Sequence, residues 1–144
     1  MCADELASIR EEVLAALYLS IDHIKNCLSM PNVPLKYELI WQSYSQAELA
    51  IALSKLGFKD QMDSELGSFR DLGKLRAKLG LNSKEDISPS LVACQKNLER
   101  SLIEFRAGKA KKGLESARKG RDILKLLLLE EKRSKTPMKR KKTA

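Results

Sequence analysis

The sequence contains few of the residues on which enzymatic chemistry usually depends. It has one histidine, His23, and three cysteines among 144 residues. The cysteines, Cys2, Cys27 and Cys94, are widely separated, and such spacing indicates neither a zinc site nor a disulfide framework. No glycine-rich phosphate loop or paired-carboxylate motif is recognisable, and no nucleophile motif accompanies His23. We therefore expect a non-enzymatic protein with no metal ion, no cofactor and no small-molecule substrate, in which Cys27 and Cys94 are reduced core residues.

Long apolar runs and aromatic residues are also scarce. No segment approaches the roughly 18 consecutive apolar residues of a membrane-spanning helix, so we expect no membrane span. Residues 1–5 do not form a basic leader before an apolar run, which predicts no secretory signal. A cytoplasmic protein, or a nuclear one in a eukaryote, is expected. One Trp, three Tyr and three Phe are present, and they are not interleaved with the basic residues, which argues against base stacking on single strands.

The first half of the chain shows the apolar periodicity of α-helices. Apolar residues recur at spacings of three and four from Asp4 to Met30, which is typical of a helix with one buried face. They are Leu6, Ile9, Val13, Leu17, Ile21, Ile24 and Leu28. A second helical stretch, from Leu35 to Leu56, has apolar residues on two opposite faces, which predicts a central position in a bundle. We interpret Trp41 on this helix as a core residue, with a partner anchor as the alternative.

The second half of the chain predicts at least three more helical segments. Residues 62–79 keep a helical pattern that Gly67 and Gly73 weaken. Ser88 should cap the next helix, because serine accepts hydrogen bonds from orphan amides and Pro89 suits the first turn. Gly108 should end that helix and begin a tight turn into the last one. We predict an all-α fold, an antiparallel bundle of about five helices, with residues 1–133 as one domain that ends in a helical hairpin.

A row of basic residues follows the last predicted helix. Its members, Lys111, Arg118, Lys125 and Lys132, recur every seven residues and are called the basic ridge below. Heptad positions drift only about 20° per repeat, so the ridge should follow one side of the helix over about 30 Å. Arg121 lies at its inner edge. Local pairs such as Lys111 with Glu115 leave open the alternative of an ordinary solvated helix surface.

Positive charge is concentrated at the carboxyl-terminal end of the sequence. Residues 1–100 contain 12 Lys and Arg against 14 Asp and Glu, a net charge of −2, whereas residues 101–144 contain 15 against 5, a net charge of +10. Residues 134–144 are expected to form a short disordered basic tail. The basic residues of this tail that we assign to binding are Lys139, Arg140, Lys141 and Lys142. Such a concentration of charge is typical of a protein that binds a polyanion.

Two functions are compatible with this sequence. The first is sequence-independent binding of DNA or RNA through phosphate contacts of the basic ridge, Arg121 and the tail, as a subunit of a larger assembly. The second is a helical adaptor that binds a protein partner and has no direct role on nucleic acid. For the adaptor, the candidate partner-binding residues are Trp41, Leu126, Leu127 and Leu129.

Overall fold

The computed structural model describes residues 3–31, 33–61, 72–79 and 86–135. Within these residues the chain is all-helical, with five α-helices, one short 3₁₀ turn and no strand, which confirms the predicted fold class. The α-helices are α1 (Ala3–Ser29), α2 (Val33–Gly57), α3 (Leu72–Leu79), α4 (Ser88–Arg106) and α5 (Ala110–Lys135). Helix α5 continues to Lys135, so residues 134 and 135, which were predicted to belong to the disordered tail, are helical. The rest of the basic tail and the predicted helical stretch before Leu72 lie outside the described residues.

The four long helices form an antiparallel ring. Helix α1 packs against α2 and α4, and α5 packs against the same two helices from the other side. The short connections from α1 to α2 and from α4 to α5 favour this arrangement, because a few residues suffice only to join antiparallel neighbours. Helix α3 lies against α5, and an ion pair of 2.6 Å between Arg76 Nε and Glu130 Oε1 joins the two.

The predicted apolar stripes form the core of this ring. On α1, Val13, Leu17, Ile21 and Ile24 are buried, as their spacing predicts. On α4 and α5 the buried residues include Leu91, Cys94, Leu98, Leu102, Phe105, Ala110, Leu114, Ala117 and Leu124. Cys27 and Cys94 are buried as expected, and burial raises the pKa of both thiols above the ordinary value. Both cysteines therefore act as small apolar residues.

Helix α2 does not occupy the predicted central position. Each helix of a four-membered ring keeps an outer side, and on α2 this side carries Leu35, Trp41 and Leu49 with exposed fractions of 45%, 57% and 46%. The interpretation of Trp41 as a core residue is therefore wrong. Two-sided apolarity arises because α2 buries Ile40, Ala47 and Ile51 and exposes Leu35, Leu49 and Leu56.

Helices α4 and α5 approach each other closely because glycines of α5 face α4. A Cβ atom at Gly113 would lie 2.8 Å from the Phe105 ring, and one at Gly120 would lie 2.8 Å from Leu98. The hydroxyl of Ser101 donates a hydrogen bond of 2.6 Å to the Gly113 carbonyl. The hairpin turn contains Gly108 at a φ of 78°, a left-handed conformation that favours glycine. The predicted hairpin is thus confirmed.

The start of α4 differs from the prediction in one detail. The helix begins at Ser88 with Pro89 in its first turn, so the cap position is Ile87 and not Ser88, and no side chain caps the helix there. Instead, the Ser88 amide donates a hydrogen bond of 3.0 Å to Asp86 Oδ1. Asp86, two residues upstream, therefore satisfies the amide of the first helical residue.

Arg10 joins the beginning of α1 to the end of α2. Its Nε donates a hydrogen bond of 2.6 Å to the Gly57 carbonyl, and its Nη2 donates one of 2.9 Å to Asp60 Oδ1. The guanidinium also lies 4.6 Å from the centre of the Phe58 ring. A cation at the carbonyl end of a helix is favourable, because that end carries partial negative charge.

Candidate nucleic-acid interface

The basic ridge lies on one continuous helix. Helix α5 extends from Ala110 to Lys135, so no break separates Lys111 from Lys132. Lys111, Lys125 and Lys132 are exposed, and Arg118 is half-buried. At 1.5 Å per residue, the distance along the helix from the first ridge residue to the last is about 30 Å.

The buried positions of α5 determine which way the ridge faces. Small or apolar residues at Ala110, Gly113, Ala117, Gly120, Leu124 and Leu127 are buried. This row also follows a heptad-like period, because helical positions seven apart lie on nearly the same side. The ridge is offset from the row by one residue, which is about 100° around the helix axis. Lys112 and Lys119 are exposed and add positive charge beside it.

Several carboxylates of α4 and α5 are engaged by other groups. Asp122 is only 3% exposed and accepts a hydrogen bond of 2.8 Å from Arg121 Nε. Glu104 accepts one of 2.6 Å from the Ser116 hydroxyl, and Glu130 pairs with Arg76 of α3. These contacts reduce the ability of the three carboxylates to neutralise the ridge.

Arg121 differs from the ridge residues in its contacts with other helices. It is half-buried between α2 and α5, where its Nη1 donates to Glu48 Oε1 and its Nε donates to Asp122. Burial lowers the pKa of the Arg121 guanidinium, but the hydrogen bonds to Glu48 and Asp122 reverse this effect, and the pKa lies above its ordinary value. Arg121 is therefore a charged group whose donors are directed at protein carboxylates, and we leave it out of the proposed interface.

We expect the change Arg121→Gln to alter stability more than binding. Glutamine cannot replace the two-pronged contact with Glu48 and Asp122, so Asp122 loses a charged partner in a buried position. The free energy of unfolding should fall by about 1–3 kcal/mol, as measured by urea denaturation. Affinity for a labelled oligonucleotide should stay within about twofold of the wild-type value once the variant is folded, because phosphate contacts are made elsewhere. A loss of affinity without a loss of stability would instead show that Arg121 belongs to the nucleic-acid interface.

An apolar groove that was not predicted from the sequence lies between α2 and α5. Trp41 and Tyr44 of α2 and Leu128 and Leu129 of α5 form its walls, and Lys125, Glu131 and Lys132 lie at its rim. We call this cavity of about 480 Å³ the α2–α5 groove. The Trp41 and Tyr44 rings stack with centres 5.7 Å apart and planes inclined by 25°.

Tyr44, Glu48 and Arg121 form a hydrogen-bond network beside this groove. Burial and the nearby Glu48 carboxylate raise the pKa of Tyr44, and its hydroxyl is hydrogen bonded to Glu48. Glu48 also accepts the hydrogen bond from Arg121 described above. Helix α2 is thereby fixed against α5 beside the aromatic pair. Sequence reasoning missed Tyr44, although its spacing of three residues from Trp41 is the spacing of neighbours on a helix surface.

The predicted partner-binding residues do not all reach the surface. Leu126 and Leu127 are core residues with exposed fractions of 4% and 1%, whereas Leu129 is 45% exposed. Among the four predicted anchors, only Trp41 and Leu129 are therefore accessible, and both line the α2–α5 groove. The tail residues Lys139, Arg140, Lys141 and Lys142 lie outside the described part of the chain.

Neither a metal site nor a membrane-spanning helix is found where the structure describes the chain. No group of three or more His, Cys, Asp and Glu side chains is close enough to hold a metal ion in residues 3–135 apart from the gaps given above. No helix in those segments has the length and apolar character needed to cross a membrane. Comparisons of the chain with protein-family models, with curated proteins and with solved structures found no match.

Proposed function

We propose that this protein is a non-enzymatic nucleic-acid-binding protein that contacts the phosphate backbone through α5 and the basic tail, as a subunit of a larger assembly. The observation that carries the proposal is the exposure of Lys111, Lys125 and Lys132 along a single continuous helix. The net charge of +10 over residues 101–144 supports it. A row of cations on a rigid helix offers phosphates fixed positions, and the tail adds a second basic segment.

The mechanism is phosphate neutralisation with release of counterions. Lysine and arginine that approach the backbone displace cations condensed on the polyanion, and the entropy of their release drives binding. Backbone contacts do not distinguish one base from another, so sequence preference should be weak. A cytoplasmic location, or a nuclear one in a eukaryote, agrees with this role.

Salt dependence of the affinity tests the proposal. We expect the logarithm of the association constant for a labelled duplex to fall linearly with the logarithm of salt concentration, with a slope of roughly −4 for four neutralised phosphates. Additional contacts by the tail should make the slope steeper. Fluorescence anisotropy over a range of salt concentrations gives this value. Absence of binding at low salt, or an affinity that does not respond to salt, would contradict the proposal.

A helical adaptor is the second candidate, and the α2–α5 groove is the observation that favours it. An accessible tryptophan at the edge of an apolar groove is typical of a protein-binding anchor. Purification from the native source, with and without nuclease treatment, separates the two functions. A protein partner that survives digestion and is lost on the change Leu129→Ser would favour the adaptor.

A further inference from the structure

The α2–α5 groove lies at the end of the basic ridge and shares residues with it. Lys125 and Lys132 belong to the ridge and also form the rim of the groove. The aromatic residues, which are distant from the basic residues in sequence, are thus adjacent to them in space. Exposed aromatic rings beside cations are the combination with which proteins bind unpaired nucleotides.

We infer that the groove binds an unpaired nucleotide of a single-stranded nucleic acid, with a base stacked on Trp41 and the flanking phosphates at Lys125 and Lys132. This inference rests on the proposed function and adds a preference for single strands to it. Trp41 has an exposed fraction of 57%, so part of its ring surface is open to a ligand. Tyr44 is half-buried, and its ring stacks with the Trp41 ring.

The dimensions of the groove fit a short piece of single strand. Lys125 and Lys132 are seven residues apart, which corresponds to about 10 Å along the axis of α5. Stacked nucleotides rise about 3.4 Å each along one strand, so this distance corresponds to roughly three nucleotides. One base can therefore occupy the groove while phosphates on either side approach the two lysines.

The charges at the rim are complementary to a strand of phosphates. The lining residues include two lysines, Lys125 and Lys132, and one glutamate, Glu131, so their formal charges sum to a net positive value. The ridge continues beyond the groove through Arg118 to Lys111, so a strand that leaves the groove meets further cations. A duplex can use the ridge, but its bases are stacked within pairs and cannot reach the aromatic wall without being flipped out.

Tryptophan emission tests the inference directly, because Trp41 is the only tryptophan in the sequence. The full chain is titrated with a short single strand and with the duplex of the same sequence, and both anisotropy and tryptophan emission are recorded. We expect the single strand to quench Trp41 emission and the duplex to leave it unchanged. The change Trp41→Ala should lower the affinity for the single strand about tenfold, the effect of losing one stacked base, and leave duplex affinity within about twofold.

Two control variants accompany this experiment. Tyr18 is another exposed aromatic residue, with an exposed fraction of 62%, and does not line the groove. The change Tyr18→Ala should therefore leave both affinities unchanged. The change Trp41→Phe keeps a stacking surface and should retain most of the single-strand affinity. Circular dichroism verifies that each variant is folded.

The outcomes distinguish the inference from the proposed function. If neither oligonucleotide binds, both are wrong. If single strand and duplex bind equally, with unchanged tryptophan emission and no effect of Trp41→Ala, the inference is wrong and backbone binding by the ridge stands. If Trp41→Ala removes a nuclease-resistant protein partner and leaves single-strand affinity intact, the groove is a protein-binding site and the inference is again wrong.

Discussion

Neutralising the basic ridge should lower the affinity for nucleic acid on the order of 100-fold at ~0.1 M salt. The variant combines Lys111→Gln, Arg118→Gln, Lys125→Gln and Lys132→Gln. Each lost cation leaves one phosphate with its counterions, so the slope of the salt dependence should become shallower by nearly one for each contact removed. The loss should be similar for unrelated sequences, because phosphate contacts carry no sequence information. Anisotropy titrations at several salt concentrations measure both quantities.

A charge-matched variant is the control for this experiment. Lysines on other elements, Lys25, Lys55, Lys59 and Lys96, are all exposed, and their change to glutamine lowers the net charge by the same amount, from +8 to about +4. We expect this control to lose much less affinity than the ridge variant, since binding depends on where the cations lie. Equal losses in the two variants would show that net charge alone attracts the polyanion and would remove the ridge from the mechanism.

The change Leu98→Ala should have the largest effect on stability that we predict. Leu98 is fully buried and packs against Gly120 of α5. Loss of its buried methyl groups and the resulting cavity should lower the free energy of unfolding by about 2–5 kcal/mol. Urea denaturation followed by circular dichroism measures the difference. The midpoint should fall without a large change in slope if the unfolding transition remains two-state.

A double-mutant cycle tests the close contact between α4 and α5. In the wild-type background a Cβ atom at Gly120 would lie 2.8 Å from Cγ and Cδ2 of Leu98, so Gly120→Ala introduces strain that opposes the helix-forming gain of alanine. In the Leu98→Ala background those atoms are absent. There Gly120→Ala should raise stability by about 1 kcal/mol. Additive effects of the two changes would mean that Leu98 and Gly120 are not in contact.

Several helices could be predicted from periodicity because their buried residues recur at spacings of three and four along the sequence. On α4, the spacing from Leu91 to Phe105 agrees with the buried side of the helix. Gly108 marked the hairpin turn, because a positive φ is most easily adopted by glycine. Periodicity was less informative for α2, since a helix with apolar residues on both sides can be central or can expose one of them. The interpretation of Trp41 as a core residue was wrong for this reason.

The candidate site was predictable only in part. The heptad spacing of the basic ridge is a local property of α5 and was visible in the sequence. Arg121 appeared to belong to the ridge, because no local pattern indicates that Glu48 of another helix is its partner. The α2–α5 groove could not be predicted, since its residues on α2 and α5 are more than 80 positions apart and meet only through packing.

The sequence by itself determined the helical class, most of the core and the row of cations on α5. These depend on interactions within one helix, whose period of 3.6 residues relates position in the sequence to position on a surface. Only the tertiary structure decided that Trp41 is exposed, that Arg121 is engaged by Glu48 and Asp122, and that an aromatic pair lies beside Lys125 and Lys132. The physical reason is that these features depend on which sides of two distant helices face each other, and the order of residues within either helix does not specify that pairing.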